Sequence, residues 1–401
     1  MLTYIVLALL IGILLGILTG LSPGLHINLI SVLLLSLATT VSGIVDPVYI
    51  VILIIGMAVT HTFLDFIPNT YLGAPEADTA LSVLPAHRFL KQGEGYTAIK
   101  LSTIGSLAGL LLATVFTPLA VYLGLNHYDL IKDYIPYLLI ASIIFLLIKE
   151  KGNKWSAILI VLLSGVLGIL VLNLPSLSNP LFPLLTGLFG VSTLLISLKD
   201  KTNIPKQNVK DDLKLDKKEA TKAISSSFIV SLVAGFVPGI ASSQSAIISS
   251  SFFKKLKSEY FIIMTGLINT VIMITSFAAL YSIGKARNGA VIVVSKILEG
   301  ITLDYLIIFI AASLFVGGIA TILSLKIAKV FSKYITKINY KKVSITIISI
   351  LLLLVLVLTG PIGLLIAGIA TAVGVLPPLL NVGKNHLMSC LMIPIVLFFI
   401  L

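Results

Sequence analysis

Apolar residues fill this chain in long runs with few polar interruptions. The runs fall at about 2–20, 25–43, 48–66, 99–123, 134–148, 155–173 and 180–198. They resume after a polar interval at about 224–237, 240–253, 260–283, 303–328, 343–359, 361–380 and 386–401. A helix needs about 20 apolar residues to cross a bilayer, so several runs are full crossings and others are short. No run alternates as a barrel strand would, and backbone polar groups cannot stay unpaired in lipid. The pattern predicts an all-α polytopic membrane protein.

The polar interval, 199–222, holds eight Lys and five Asp/Glu and divides the chain into 1–198 and 223–401. Both parts open alike. An apolar arm breaks at Gly20, Leu21, Ser22, Pro23, Gly24 and resumes at Leu25, His26, Ile27, Asn28. A second arm breaks at Gly235, Phe236, Val237, Pro238, Gly239 and resumes at Ile240, Ala241, Ser242, Ser243, Gln244. Further on, Gly56 with Thr60 matches Gly266 with Thr270. If each broken arm is a hairpin returning to its starting side, five crossings follow in each part. Five is odd, so the second repeat is inverted relative to the first. About ten full crossings plus two hairpins are expected, with 199–222 as a cytoplasmic hydrophilic linker. Inverted repeats headed by broken helices are the mark of secondary transporters.

Charge agrees with this topology. The segment 326–342 has six Lys and no acid, and the loops near Lys151 and Arg88 are also net basic. Such loops are cytoplasmic by the positive-inside bias, and no Lys or Arg precedes Arg88, which puts the N-terminus outside the cell membrane. Only 28 Lys/Arg and 16 Asp/Glu occur in 401 residues, 11% charged against roughly 25% in soluble domains. With 58% hydrophobic residues, a globular cytoplasmic enzyme is excluded. The net charge of +12 sits in loops between apolar runs, so it signals orientation and not a nucleic-acid partner. The single cysteine, Cys390, supports neither an internal disulfide nor a multi-cysteine metal site. Residues 2–20 lack a basic leader and a small-residue cleavage pattern, and read as retained membrane structure.

The candidate chemistry is that of ligand binding. Proline removes a donor and glycine permits positive φ, so a helix can stop at Pro-Gly and restart at once. A restart inside the membrane aims free N–H groups and the positive dipole end at an anion. The candidate substrate contacts are therefore Pro23, Gly24, His26 and Asn28 at the first break, with Pro238, Gly239, Ser242, Ser243 and Gln244 at the second. A kink or an external turn would use the same residues. The stretch 68–85, with Asn69 and Thr70 as further candidates, reads either as an unwound segment beside a cavity or as an amphipathic helix on the cytoplasmic face. Its counterpart near Lys285, Arg287 and Asn288 is basic and on the other side. His61 and Asp65, at i and i+4, face one way on an apolar helix. They could exchange a coupling proton or hold Na⁺; the closeness of Pro68 and Asn69 favours a third reading, in which both snorkel into headgroups. His26, His87, His127 and His386 are too dispersed for a zinc site, and Asn381, Gly383, Lys384 and His386 read as an ordinary cytoplasmic turn. No resident cofactor or metal is expected.

At these positions the chain resembles the large membrane permease subunit of tripartite tricarboxylate transporters, especially its shorter archaeal-type relatives. The resembling residues are Pro23-Gly24, then Gly73, Pro75, Thr79, Gly93, Glu94, Gly95 and Ala98, the segment 180–190 around Gly187-Leu188-Phe189, and Pro238-Gly239. Leu376-Pro377-Pro378-Leu379-Leu380 and His386-Leu387-Met388 are similar to the shorter relatives. The resemblance implies Pro-Gly hairpins framing a carboxylate site. It also implies a small membrane subunit and an extracytoplasmic binding protein as partners, and by analogy a homodimer. The chain departs from the family's glycine-rich runs at His26 and Asn28, and again at Ser242, Ser243 and Gln244. The reading that follows is a non-enzymatic, ion-coupled transporter of small organic anions. A translocator of lipid-linked phosphates would suit the same hairpins, and an intramembrane enzyme would have only His61 and Asp65 to work with.

Overall fold

The computed structural model describes residues 2–400 except 23–26, 41–43, 74–78, 176, 178–179, 199–203, 210–212, 214, 238–239, 241, 254, 299 and 338–339. The described residues are predominantly helical, with no strand among them. The first part holds α1 (Leu2–Leu21), α2 (Ile27–Thr40), α3 (Pro47–Leu64), α4 (Phe66–Leu72), α5 (Val83–Lys91) and α6 (Gly95–Lys132). It continues through α7 (Ile135–Lys149), α8 (Lys154–Leu172), α9 (Leu181–Leu185) and α10 (Ser192–Ser197), the last two joined by a π-helical turn. The second part begins after the polar interval. It runs through α11 (Lys217–Ala234), α12 (Ser242–Ser250), α13 (Ser258–Ile283), α14 (Gly289–Ile297), α15 (Leu303–Tyr334), α16 (Tyr340–Leu379) and α17 (Ser389–Ile400). Seven of the described helical segments are long and apolar enough to cross a membrane, and three more are apolar but shorter. One of the seven, α16, is broken at Gly360, whose φ of 69° precedes Pro361, so the expected pair 343–359 and 361–380 is present as two arms.

Helix starts follow from local chemistry. Asp46 accepts a hydrogen bond from Val48 N at 3.0 Å ahead of Pro47, and Asn153 caps α8 through Trp155 N. Asp216 caps α11 and Asn288 caps α14 in the same way. Equivalent ends match too. The α3–α4 rod stops at Gly73 and α13 at Gly284, both left-handed (φ 61° and 64°), where any β-carbon would be strained.

Glycines set the helix directions. Gly12 lies against Leu53 and Gly56, Gly16 against Thr60, and Gly20 against Leu64, so α1 runs parallel to α3. The chain between them must therefore return, and α2 is the returning arm. In the second part Asp216 N donates to Tyr260 Oη at one end and Gly235 packs on Thr275 at the other. Hence α11 runs parallel to α13, and α12 returns. Gly105, Gly109 and Gly124 of α6 meet Ile263, Leu267 and Ser282, so α6 is also parallel to α13. The α3–α4 rod runs the other way, with Asp65 at Asn269 and Thr62 at Thr270. It is parallel to α15, which Phe63 and Tyr71 touch at Ser324 and Ser332. Helices at corresponding chain positions, α3 with α13 and α6 with α15, thus point in opposite directions.

A second, smaller bundle joins α7–α10 to α16 and α17, with Gly168 against Cys390 and Gly187 against Ala367 and Ala370. The polar interval docks on the first bundle. Gln207 is buried, accepts from Gly95 N at 2.8 Å and donates to Leu90 O, so it caps the start of α6. A cavity of about 700 Å³ lies beside it, lined by Lys206, Lys329, Lys333 and Ser332 among others.

Candidate functional site

The rods α3–α4 and α13 each span 26 residues, about 39 Å at 1.5 Å per residue, enough to exceed a hydrocarbon core of about 30 Å. They cross near their middles, and there the apolar sequence gives way to a polar layer. Asn269 Nδ2 donates to Asp65 Oδ2 at 2.8 Å, joining the two parts of the chain. Beside it, Thr270 Oγ1 lies 3.5 Å from Thr62 Oγ1, and His61 Nδ1 lies 3.2 Å from Thr19 Oγ1 on α1. Thr60, Thr62, Thr19 and Thr270 are all buried.

His61 and Asp65 are only 3% and 2% exposed, which overturns the snorkelling expectation. Its physical basis fails because Pro68 and Asn69 do not end the helix. The rod continues buried to Leu72, seven residues or about 10 Å beyond Asp65. Pro68 acts locally instead: it has no N–H to offer the Leu64 carbonyl, which is left without its i+4 donor next to Asp65.

Asn69 and Thr70 lie in that buried helix and not in an unwound segment. Asn69 sits one turn below Asp65, its backbone N bonded to Asp65 O at 3.4 Å, so His61, Asp65 and Asn69 form one stripe. The Asn69 amide donates to Thr79 O at 3.2 Å and to Ser82 Oγ, tying the rod to the turn that follows. Past the far end of the stretch the chain is amphipathic: α5 buries Ala86, Phe89 and Leu90 and exposes Arg88 and Lys91.

At the second break, Ser242, Ser243 and Gln244 occupy the first turn of α12 and are all buried. Gln244 Nε2 approaches Met392 Sδ on α17 at 3.6 Å. The hydrogen bonds described do not bring these three to Asp65. Pro23, Gly24, His26, Pro238 and Gly239 lie outside the described residues; Asn28 lies in α2, with its side chain likewise outside them. The residues just before the breaks are placed. Gly20 packs at the level of His61 and Leu64, and Gly235 at the level of Thr275. Gly20 is thus level with Thr62 itself, and Gly235 lies about 7.5 Å past Thr270 toward the C-terminal end of α13.

Sequence reasoning missed Asn269, Thr62 and Thr19. The recurrence of Gly56-Thr60 as Gly266-Thr270 had already marked the helix on which Asn269 lies, but nothing in one sequence pairs position 269 with 65. The turn containing Lys384 and His386 also differs from expectation. His386 Nε2 lies 2.7 Å from Glu150 Oε2, which also accepts from Gly383 N at 2.9 Å, and Lys384 Nζ donates to Thr193 Oγ1 at 2.6 Å. Burial pulls the Lys384 ammonium down to about 8. Among the described residues no cluster of three or more His, Cys, Asp or Glu could hold a metal ion.

Long apolar helices enclosing a buried polar layer define a polytopic α-helical membrane protein. A model of the tripartite tricarboxylate transporter TctA family matches residues 6–389, nearly the whole length. The chain belongs to that family, and is thus a membrane transporter permease. It is also 32% identical over 362 residues to an uncharacterized protein of Methanocaldococcus jannaschii, covering 86% of this chain and 88% of that one. No solved structure matches it.

Proposed function

We propose that this permease is an ion-coupled secondary transporter of small organic anions of the di- or tricarboxylate kind, built as two inverted repeats of residues 1–198 and 223–401. The observation that carries the reading is the Asp65–Asn269 contact in a buried layer shared by both parts. An ionisable group at that depth is costly and is kept where it serves a pathway. The opposed directions of α3 and α13, and of α6 and α15, support the inverted arrangement. The first arm of each hairpin runs to within a few residues of the polar layer, one from either face. Restarting helices there would offer amide donors to the anion. Asp65, the Leu64 carbonyl that lacks its i+4 donor and the neighbouring threonine hydroxyls offer oxygens to Na⁺, or Asp65 with His61 a route for H⁺. The linker 199–222 would face the cytoplasm and the N-terminus the outside. The word tripartite in the family's description supports two further components, and a small membrane subunit and an extracytoplasmic binding protein are the proposed ones.

Asp65→Asn tests the coupling. The amide keeps the size of the carboxylate and removes its charge, so the protein should purify and unfold much as the wild type does. Gradient-driven citrate uptake into proteoliposomes should fall by about tenfold or more, as expected when a charged contact worth roughly 1.5–3 kcal/mol is lost. Undiminished gradient-driven uptake by the variant would defeat the proposal.

A further inference from the structure

The loop joining α13 to α14 lies at the end of the bundle away from the lysine-rich segments, and it holds Lys285, Arg287 and Asn288. Arg287 is unlike the other cations among the described residues. Its Nε and Nη2 atoms are both buried, and neither has a hydrogen-bond partner. Among the described residues neither Arg287 nor Lys285 has an ion-pair partner. The carboxylate of Asp129, one residue past Tyr128, is bonded to Lys132 at 2.9 Å. Burial pulls the Arg287 guanidinium below its ordinary value. A buried donor without an acceptor is costly, and two on one charged group call for an explanation.

Geometry supplies one. Nε and Nη2 are the two nitrogens on one edge of the guanidinium, and their N–H bonds run side by side. That edge is the fork that matches two oxygens of one planar oxyanion. The guanidinium is steadied over the Tyr128 ring, 6.0 Å from its centroid, while Lys285 Nζ lies 5.3 Å from the same ring. The Tyr128 hydroxyl is buried too and faces the guanidinium closely enough to favour its charge, without completing a well-formed hydrogen bond. Tyr128 packs in one cluster with Val237 and Ile240, which flank the second Pro-Gly break, and Phe236 reaches Gly124 one turn earlier on α6. The fork therefore stands next to the second hairpin, at the layer's far side from the lysine-rich loops.

We infer that the Nε/Nη2 edge of Arg287, backed by Tyr128, binds a carboxylate group of the transported anion beside the second hairpin break. The inference rests on the anion-permease reading and deepens it by naming a specificity residue. The described state holds the fork closed to solvent, so binding requires the 284–288 loop to shift.

The test uses purified full-length protein titrated calorimetrically with citrate and with succinate, with thermal unfolding followed in parallel. Arg287→Gln should weaken binding by about tenfold or more while leaving the unfolding midpoint unchanged or higher, because it removes a partly buried charge that has no anionic partner. Arg287→Lys keeps the charge but not the planar fork, and should weaken binding severalfold in a folded protein; it decides the matter if the Gln variant does not fold. Wild-type affinity in both variants overturns the assignment and leaves the permease reading standing. Failure of the wild type to bind either acid removes both. A lowered midpoint with unchanged affinity makes Arg287 a structural residue. Tighter binding of phosphatidylglycerol than of citrate, lost in Arg287→Gln, assigns the fork to a lipid phosphate and overturns the substrate role.

Discussion

Glu150 and His386 carry different information from Asp65 and Asn269, although both pairs join distant parts of the chain. Glu150 sits in the α7–α8 turn at the water-facing end of the smaller bundle. Burial raises its pKa, but hydrogen bonds from Gly152 N at 2.8 Å, from Gly383 N and from His386 outweigh that effect and leave it below the ordinary value. The folded state thus favours the carboxylate. Its contribution is complete above the unfolded value of about 4.5 and is lost as pH falls through the lower folded value. Glu150→Gln should cost about 1–2 kcal/mol at pH 7. Thermal unfolding in detergent should show the gap between wild type and variant closing below about pH 4.5. A gap that stays constant to pH 3 would mean that shape, not charge, is what the turn requires. In the sequence these residues read as an ordinary turn, because the 233 residues separating Glu150 from Gly383 hide the contact.

Elements here are held together by close backbone approach more than by side-chain bulk, as befits helices that gain no hydrophobic drive from one another in lipid. Gly105 and Gly109 on α6 bring that helix against Ile263 and Leu267. A β-carbon at 105 would collide with the Ile263 carbonyl, which cannot move without shifting α13. Gly105→Val should therefore destabilise by about 1–3 kcal/mol or more. Gly318→Ala on α15 meets open space and should be neutral or slightly stabilising, since alanine favours the helix by up to about 1 kcal/mol. Comparing the two midpoints separates contact from propensity; equal effects would argue against the packing account. Element existence was legible because membrane runs are long and uniform, and even the Gly360-Pro361 break between two arms of α16 could be read. Partner choice between helices was not. Hydrophobic periodicity cannot say which face meets which in a chain apolar on every side, so Asn269 opposite Asp65 escaped notice.

The whole molecule is ordered by opposition. Every direction derived from the glycine contacts and hydrogen bonds agrees with two parts whose corresponding rods run oppositely, and with returning arms after α1 and α11. Counting crossings and loop charges leads to an expectation of the same opposition, because the lysines cluster in loops and near helix ends and not in mid-span. The consequence can be checked from outside. Lys333 lies near the end of α15 beside the docked linker, whereas Asp129 lies near the end of α6 that points away from it. The single native cysteine, Cys390, is buried, so introduced thiols can be read against a quiet background. On the proposed orientation, with the basic segments inside, Asp129→Cys should react with a membrane-impermeant maleimide in intact cells, and Lys333→Cys only after permeabilisation. Labelling of both from one side would break the link between helix direction and membrane face. With it would go the inference that the two hairpins approach the polar layer from opposite compartments.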